Sequence, residues 1–192
     1  MANGKKTQVR HYVTPSDSAN IVDFLVDYFN RSDIPELYSE QVAGIPVKEE
    51  PGLYTSEGVT ASFDRYLSGD ELKRKEITFD PDEEAKGYGR IYVAAEKYPD
   101  TVSKDIRFRR TPRNTMLHEA FGHGLLDAVY GYHKKPHFSR TETFPYMVQV
   151  YSEILRMKEE GILESDPYYK KHLDAFEELK KMSTKQLGIS KD

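Results

Sequence analysis

The sequence has no cysteine among its 192 residues. Disulfide bridges and thiolate metal sites are therefore excluded, and any zinc site has to be built from histidine, aspartate or glutamate. No apolar run approaches the roughly 18 residues that a membrane-spanning helix needs. The polar start of the chain also lacks the apolar stretch of a secretory signal peptide. We therefore expect no membrane association and a cytoplasmic location.

The sequence also lacks an excess of positive charge. Its 28 lysines and arginines are outnumbered by 32 aspartates and glutamates, which gives a net charge of −4. Bulk charge therefore does not favour nucleic-acid binding, and we expect no nucleic-acid partner. One local basic cluster is interpreted as a solvated loop. It consists of Arg107, Arg109, Arg110 and Arg113.

The order of the sequence signals predicts an α+β fold in a single compact domain. Residues 1–12 are polar and are predicted to form a flexible arm. Residues 13–110 are expected to contain an N-terminal helix followed by a sheet region. Residues 111–192 are expected to be helical. The oligomeric state does not follow from these signals.

In the N-terminal region, the first helix is the clearest element. Its apolar residues follow helical spacing, and Ser16 or Asp17 is predicted to cap its start. The helix should end near Asn30. Residues 31–57 contain several prolines, glycines and charges, and are predicted to be an irregular connection with at most one short helical turn.

The strand signals are weaker and lie in the middle of the chain. Residues 59–63 and 75–79 are short candidates. Residues 88–97 are the best candidate, because apolar and polar side chains alternate there. We expect this last strand to form the sheet edge, where an extended peptide can pair with it.

Three helices are predicted in the C-terminal region. The first begins at Thr111-Pro112, since threonine is a good N-cap and proline suits the first helical position, and it runs to about Tyr130. The others cover about 142–160 and 167–182. The apolar stripe predicted for the last helix consists of Tyr168, Leu173, Phe176 and Leu179.

The first of these helices contains the sequence His118-Glu119-Ala120-Phe121-Gly122-His123. It is one residue longer than the H-E-x-x-H signature, in which two histidines bind zinc and the glutamate is the general base. A regular helix turns about 100° per residue, so histidines five residues apart point about 140° apart. Either the helix bulges near Ala120–Gly122, or the match is accidental.

A catalytic zinc needs a third protein ligand and an open position for water. Two glutamates of the following helix are candidates. Glu142 and Glu153 lie 11 residues apart on one helix face, roughly 16 Å along the axis, so only one of them can join His118 and His123. The carboxylate of Glu142 has an alternative role in a capping box with Ser139.

The segment from His118 to Gly124 resembles the HExxxH-G motif of the dipeptidyl peptidase III family of zinc peptidases. In that family both histidines bind zinc and the glutamate activates water. The resemblance implies that His118 and His123 are ligands and that Glu119 is the general base. It covers about seven residues, and the family's second motif, with adjacent glutamates, is not obvious in this sequence.

Residues 142–146 are similar to the glutamate helix of the gluzincins, with Pro145 where those proteins have alanine. This resemblance implies that Glu142 is the third ligand. It also implies a zincin-like fold, in which a small mixed or antiparallel sheet packs on the active-site helix.

Several neighbouring residues have candidate supporting roles. Glycines at 122 and 124 indicate either a helical bulge or a close approach of two helices. Asp127 lies four residues after His123 and is a candidate hydrogen-bond partner for the free nitrogen of a ligand imidazole. Tyr146 follows Glu142 by one turn and is a candidate for transition-state stabilisation.

Taken together, the motif predicts an enzyme, a zinc metallopeptidase of the HExxxH type that hydrolyses a peptide or protein substrate. The alternative is a catalytically inactive zincin-like module that binds zinc or a partner. An intact Glu119 favours the enzyme, since an inactive module has no chemical need for it.

Overall fold

The computed structural model describes residues 7–50, 61–65, 89–94, 112–130 and 141–189. Among them are the strands β1 (Thr7–Gln8), β2 (Pro46–Glu50), β3 (Ala61–Arg65) and β4 (Gly89–Ala94). The helices, in chain order, are α1 (Pro15–Phe29), α2 (Ile34–Leu37), the composite helix α3, α4 (Thr143–Glu159) and α5 (Pro167–Leu187). Helix α3 consists of Pro112–Leu117, the π-helical His118–Gly124 and Leu125–Tyr130 in succession. A 3₁₀ turn (Val9–His11) and a second π turn (Tyr38–Val42) complete the described elements. The predicted α+β class is confirmed.

Helix α1 begins at a threonine cap. The hydroxyl of Thr14 accepts a hydrogen bond from the backbone N–H of Asp17, and Pro15 occupies the first helical position. The prediction that Ser16 or Asp17 caps this helix is therefore wrong, because both lie inside the first turn. The end was predicted correctly: Asn30 takes the left-handed conformation, with φ 50°.

The strands form a mixed sheet in the order β1-β2-β4-β3. Strands β2 and β4 are parallel, and the other two pairs are antiparallel. Strand β4 therefore lies inside the sheet, so the prediction that it forms the edge is wrong. Within the described residues β3 is the edge strand beside it. Alternation along a strand shows which side chains share a face, but not which strands are its neighbours.

Strand β2 lies in the segment that was predicted to be irregular. Pro46 and the charged residues that follow Val47 are unfavourable strand signals, so the sequence does not predict a strand there. Nevertheless, Val47 is buried and pairs with the buried Ile91 of β4. The prediction for 31–57 is therefore wrong at Pro46–Glu50. Its short helical turn corresponds to α2 and the π turn that follows. The strand candidate at 75–79 lies outside the described residues.

The described part of the predicted arm, from Thr7, is folded against the sheet. Thr7 and Gln8 pair with β2, and the next residue, Val9, is fully buried. The backbone N–H of Val9 donates to the carbonyl of Ile45 over 3.2 Å. The flexible-arm prediction for 1–12 is therefore wrong for its second half, because backbone pairing holds a segment whose side chains are polar.

Helices α1, α4 and α5 pack through an aromatic cluster. The ring of Phe24 stacks on Tyr151 at 4.1 Å between centroids and meets the edge of Phe176 at 5.6 Å. Farther along α1, Tyr28 lies 5.8 Å from Phe144. The order of these contacts shows that α1 runs antiparallel to α4. Aromatic pairs of this kind stabilise by about 0.5–1.5 kcal/mol beyond the area they bury.

Helix α5 differs from its prediction in length and in the face that it buries. It continues to Leu187 and ends at Gly188, which takes φ +64°. Tyr168 and Leu173 of the predicted stripe are 42% and 40% exposed. Phe176 and Leu179 of that stripe are buried as predicted, and the buried face also contains Tyr169, His172, Ser183 and Leu187. The apolar pattern did not predict this face because some of its buried residues are polar. One of them, Ser183, accepts a hydrogen bond from the hydroxyl of Tyr28 over 2.9 Å. None of the described helices has the length and apolar character needed to cross a membrane.

Both ends of α3 are tied to the neighbourhood of α1. Near its start, Arg113 donates to Asp17 through two nitrogens, at 2.7 and 3.3 Å. Near its end, Arg31 donates to the carbonyl of Val129 over 2.9 Å. Arg113 was interpreted as part of a solvated loop, and this interpretation is wrong because its guanidinium is mostly buried in an ion pair. The rest of that basic cluster lies outside the described residues.

The Asp17–Arg113 pair predicts a pH-dependent stability. Burial alone would raise the pKa of the Asp17 carboxyl, but hydrogen bonds from Arg113 and Thr14 outweigh it and lower the pKa below its usual value. The contribution of ionised Asp17 is therefore complete above about pH 4 and is lost as the pH falls through the lowered pKa. Asp17→Asn should reduce the free energy of unfolding by roughly 1–3 kcal/mol at pH 7.

Urea denaturation of wild type and Asp17→Asn between pH 7 and pH 2.5 measures this effect. The difference in free energy should be constant above pH 5 and should shrink below pH 4. Asp33→Asn is the matched control, since Asp33 also pairs with an arginine, Arg31, but is about half exposed. It should cost less. A difference between wild type and Asp17→Asn that does not change with pH contradicts the prediction.

Candidate metal centre

The π-helical segment of α3 begins at His118 and ends just after His123. Its wider turn accommodates one more residue than an α-helical turn, and bulges of this kind are frequent at functional sites. The imidazole rings of His118 and His123 consequently lie 5.2 Å apart between centroids, although a regular helix would turn them away from each other. The predicted bulge near Ala120–Gly122 is confirmed.

Glu142 meets both histidines from the start of α4. One carboxylate oxygen lies 3.0 Å from Nε2 of His118, and the other lies 3.4 Å from Nε2 of His123. One ligand atom from each of the three residues falls within 4.8 Å of the others. The histidine side chains are 11% and 12% exposed and that of Glu142 is 58% exposed, so the group opens to solvent on the glutamate side.

The two histidines also govern the charge of Glu142. Hydrogen bonds with His118 and then with His123 hold the pKa of its carboxyl well below the usual range, and they outweigh the opposing effect of burial. Glu142 is therefore ionised at neutral pH. A metal ligand has to be deprotonated, so this carboxylate needs no proton loss before it binds a cation.

The donor set and its spacing fit a zinc ion. Zinc ligands at about 2.0–2.1 Å in tetrahedral geometry lie roughly 3.3 Å from one another. The two carboxylate oxygens of Glu142 lie 3.0 and 3.4 Å from the nearest histidine nitrogens, on either side of this value, and one ligand atom from each of the three residues falls within 4.8 Å of the others. Two histidines and one glutamate are also a donor set of catalytic zinc sites, which leave the fourth position open.

Glu153, the other candidate ligand, is not brought to the histidines. Its carboxylate accepts a hydrogen bond from Nη2 of Arg156 over 3.0 Å, and its side chain is 6% exposed. Among the described residues, the carboxylate that converges with the two histidines is that of Glu142. The capping-box alternative for Glu142 involves Ser139, which lies outside the described residues.

Three further predicted residues lie around this group. Glu119 is 7% exposed within the π-helical segment. Tyr146 meets the imidazole of His118 edge to face, with 4.7 Å between ring centroids, and so restricts the rotation of that ring. Asp127 is buried in the α-helical part of α3, one turn beyond His123. The roles of Glu119 as general base and Asp127 as hydrogen-bond partner stay predictions.

The sequence offered two explanations for Gly122, a helical bulge and a close approach of two helices, and both apply. Gly122 lies in the π-helical segment and also at the contact between α3 and α4. A Cβ atom added there would lie 2.5 Å from Cβ of Pro145. Sequence reasoning treated Pro145 only as a departure from the gluzincin pattern and missed this contact. Two features of the sequence mark this contact: a glycine next to a ligand histidine and a proline three residues after a ligand glutamate. Neither of them alone predicts that the two residues touch.

Strand β3 lies beside the π-helical segment. Because β3 is the edge strand among the described residues, one row of its backbone N–H and C=O groups faces away from β4. The π-helical segment is thus next to a strand that has one unpaired edge within the described part of the sheet.

Comparisons with protein-family models, with curated proteins and with solved structures gave no match.

The converging group could hold a metal ion, and we expect zinc, if it is that metal, to be bound through Glu142 and not through Glu153. Zinc at 100 times its Kd should raise the free energy of unfolding by about 2.7 kcal/mol, because the metal binds only the folded site. Glu142→Gln should weaken binding at least 10-fold, since the amide has no charge. Titration with a competing chelator gives the Kd, and thermal denaturation gives the stabilisation.

Glu153→Gln is the matched control, with the same chemical change on the same helix. It should lower stability by disturbing the pair with Arg156 and leave the zinc Kd unchanged. Loss of zinc binding in Glu153→Gln with retention in Glu142→Gln would reverse the ligand assignment.

Proposed function

We propose that this protein is a zinc-dependent hydrolase of peptide bonds with a zincin-like arrangement of sheet and active-site helix. The observation that carries the proposal is the convergence of His118, His123 and Glu142 across a π-helical turn that contains Glu119. A bulge at the one place where the spacing of the motif requires it is hard to explain as coincidence. The resemblance of this motif to that of the dipeptidyl peptidase III family points in the same direction.

The metal and the protein side chains have separate tasks in this proposal. Zinc, when bound, supplies a Lewis acid that polarises a carbonyl and lowers the pKa of water to about 7. Glu119 takes a proton from the attacking water and later delivers it to the leaving amine nitrogen. It directly follows the ligand His118 within the π-helical segment.

The remaining residues hold the ligands in place. Tyr146 packs its ring against the imidazole of His118, and the burial of both histidine side chains limits their rotamers. Glu142 is the most exposed of the three, so substrate would approach from its side. Tyr146 lies on that side too, one helical turn beyond Glu142, and its hydroxyl is the candidate donor to a developing oxyanion.

A peptide is the substrate class that the surroundings favour. Strand β3 lies along the π-helical segment and has a free edge within the described part of the sheet. An extended peptide can add to such an edge through main-chain hydrogen bonds, with no requirement for a particular sequence. This assigns to β3 the role that the sequence predicted for the strand now found inside the sheet.

Substitution of Glu119 tests the proposal. Glu119→Gln keeps the size of the side chain but removes the base, so it should bind zinc with unchanged stoichiometry and cleave peptides at least 100-fold more slowly. Wild type and variant are incubated with a peptide library of mixed sequence and length, and products are identified by mass spectrometry. Zinc content is measured on the same samples by atomic absorption.

Three outcomes are distinguishable. Cleavage by wild type and not by Glu119→Gln supports the proposal. Stoichiometric zinc without cleavage in either protein favours the alternative, an inactive zinc-binding module. Absence of zinc from both proteins after reconstitution contradicts a metal function altogether.

A further inference from the structure

Helices α3 and α4 touch at a point where no side chain fits between them. A Cβ atom on Gly122 would lie 2.5 Å from Cβ, 2.7 Å from Cα and 2.9 Å from Cγ of Pro145. Contacts under 3.0 Å are essentially never made by real Cβ atoms, and all three of these atoms belong to the backbone or the rigid ring of Pro145. Any residue other than glycine at 122 therefore forces the two helices apart.

This contact lies between the two halves of the metal group. Gly122 directly precedes His123 on α3, and Pro145 follows Glu142 by three residues on α4. Both residues are buried. The separation of the helices at this point is therefore transmitted to the separation of Glu142 from the histidines over less than one helical turn.

Among the described residues, few contacts other than those with the histidines fix the position of Glu142. Its backbone carbonyl accepts a hydrogen bond from Tyr146, which ties it to α4 itself. The hydrogen bonds that its carboxylate makes with described residues go to His118 and His123. The place of Glu142 relative to these histidines is thus inherited from the way in which α4 packs on α3.

We propose that Gly122 and Pro145 are positioning residues, and that their contact sets the zinc affinity of the His118–His123–Glu142 group. This inference rests on the proposed metal function. A contact of 2.5 Å has to lengthen by roughly 1 Å to become ordinary, whereas metal–ligand distances hold to about ±0.2 Å. Substitutions that displace a ligand without removing it weaken metal binding by about 10–100-fold.

The test compares the zinc Kd of wild type, Gly122→Ala and Ile154→Ala by competition with a chelator. Ile154 is buried toward the far end of α4, so its truncation destabilises the fold without touching the metal group. Gly122→Ala should raise the Kd about 10–100-fold. Ile154→Ala should leave the Kd within about twofold of wild type, even if its Tm falls as far as that of Gly122→Ala.

A second substitution tests the contact from the other side. In Gly122→Ala/Pro145→Gly the contacts with Cβ and Cγ are removed and only the 2.7 Å contact with Cα of residue 145 remains, so the double variant should bind zinc more tightly than Gly122→Ala alone. If Gly122→Ala does not fold, Pro145→Gly decides the question: a Kd several-fold above that of wild type supports the proposal, and an unchanged Kd overturns it.

The outcomes separate this proposal from the metal function itself. Failure of wild type to bind zinc overturns both. Tight binding by wild type with an unchanged Kd in Gly122→Ala overturns the positioning role alone. An equal rise in Kd for Ile154→Ala and Gly122→Ala at equal loss of Tm also overturns it, because affinity would then follow general stability.

Discussion

The five-residue separation between His118 and His123 is the constraint on which the arrangement of this protein depends. On a regular helix these side chains diverge by about 140°, so a shared ligand requires a wider turn. The chain supplies that turn as a π-helical segment with α-helix on either side. A bulge of this kind weakens local hydrogen bonding, and the surroundings compensate by packing: Ala120 and Phe121 are fully buried within it. The ring of Phe121 also stacks on Tyr38 at 4.7 Å.

The bulge persists because α3 cannot relax at its ends. Arg113 is held by Asp17 at the start of α1, and Val129 is held by Arg31 just beyond the end of α1. An extra residue in a helix with free ends can be passed along by a register shift, but a helix fixed at both ends has to keep it inside. Gly122 adds a third restraint, since it admits Pro145 from the side at the level of the bulge. These contacts join residues about 20 to 100 positions apart in the sequence.

This division between local and distant contacts explains what the sequence allowed us to predict. The helix around the motif and its need for a bulge follow from spacing and capping, which are local rules. Spacing left Glu142 and Glu153 open as third ligand, and the resemblance to the gluzincins favoured Glu142. The position of β4 inside the sheet, strand β2 with its charged residues and the buried pair of Asp17 with Arg113 depend on which distant segments meet. No periodicity in a single sequence records that information. The contact between Gly122 and Pro145 belongs to the same class, although both residues lie within the recognised motifs.

The departures from ordinary helix design in the described region are concentrated at one place. A π turn, a glycine inside a helix, two histidines that are largely removed from solvent and a carboxylate at a helix start without a capping bond all lie around Glu142. Each lowers stability relative to an ideal helix pair. Had the segment only a packing role, deletion of one residue from the motif would give a regular helix without the π turn. Several unfavourable helix features in one cluster, where three ligand atoms also converge, are typical of a functional site.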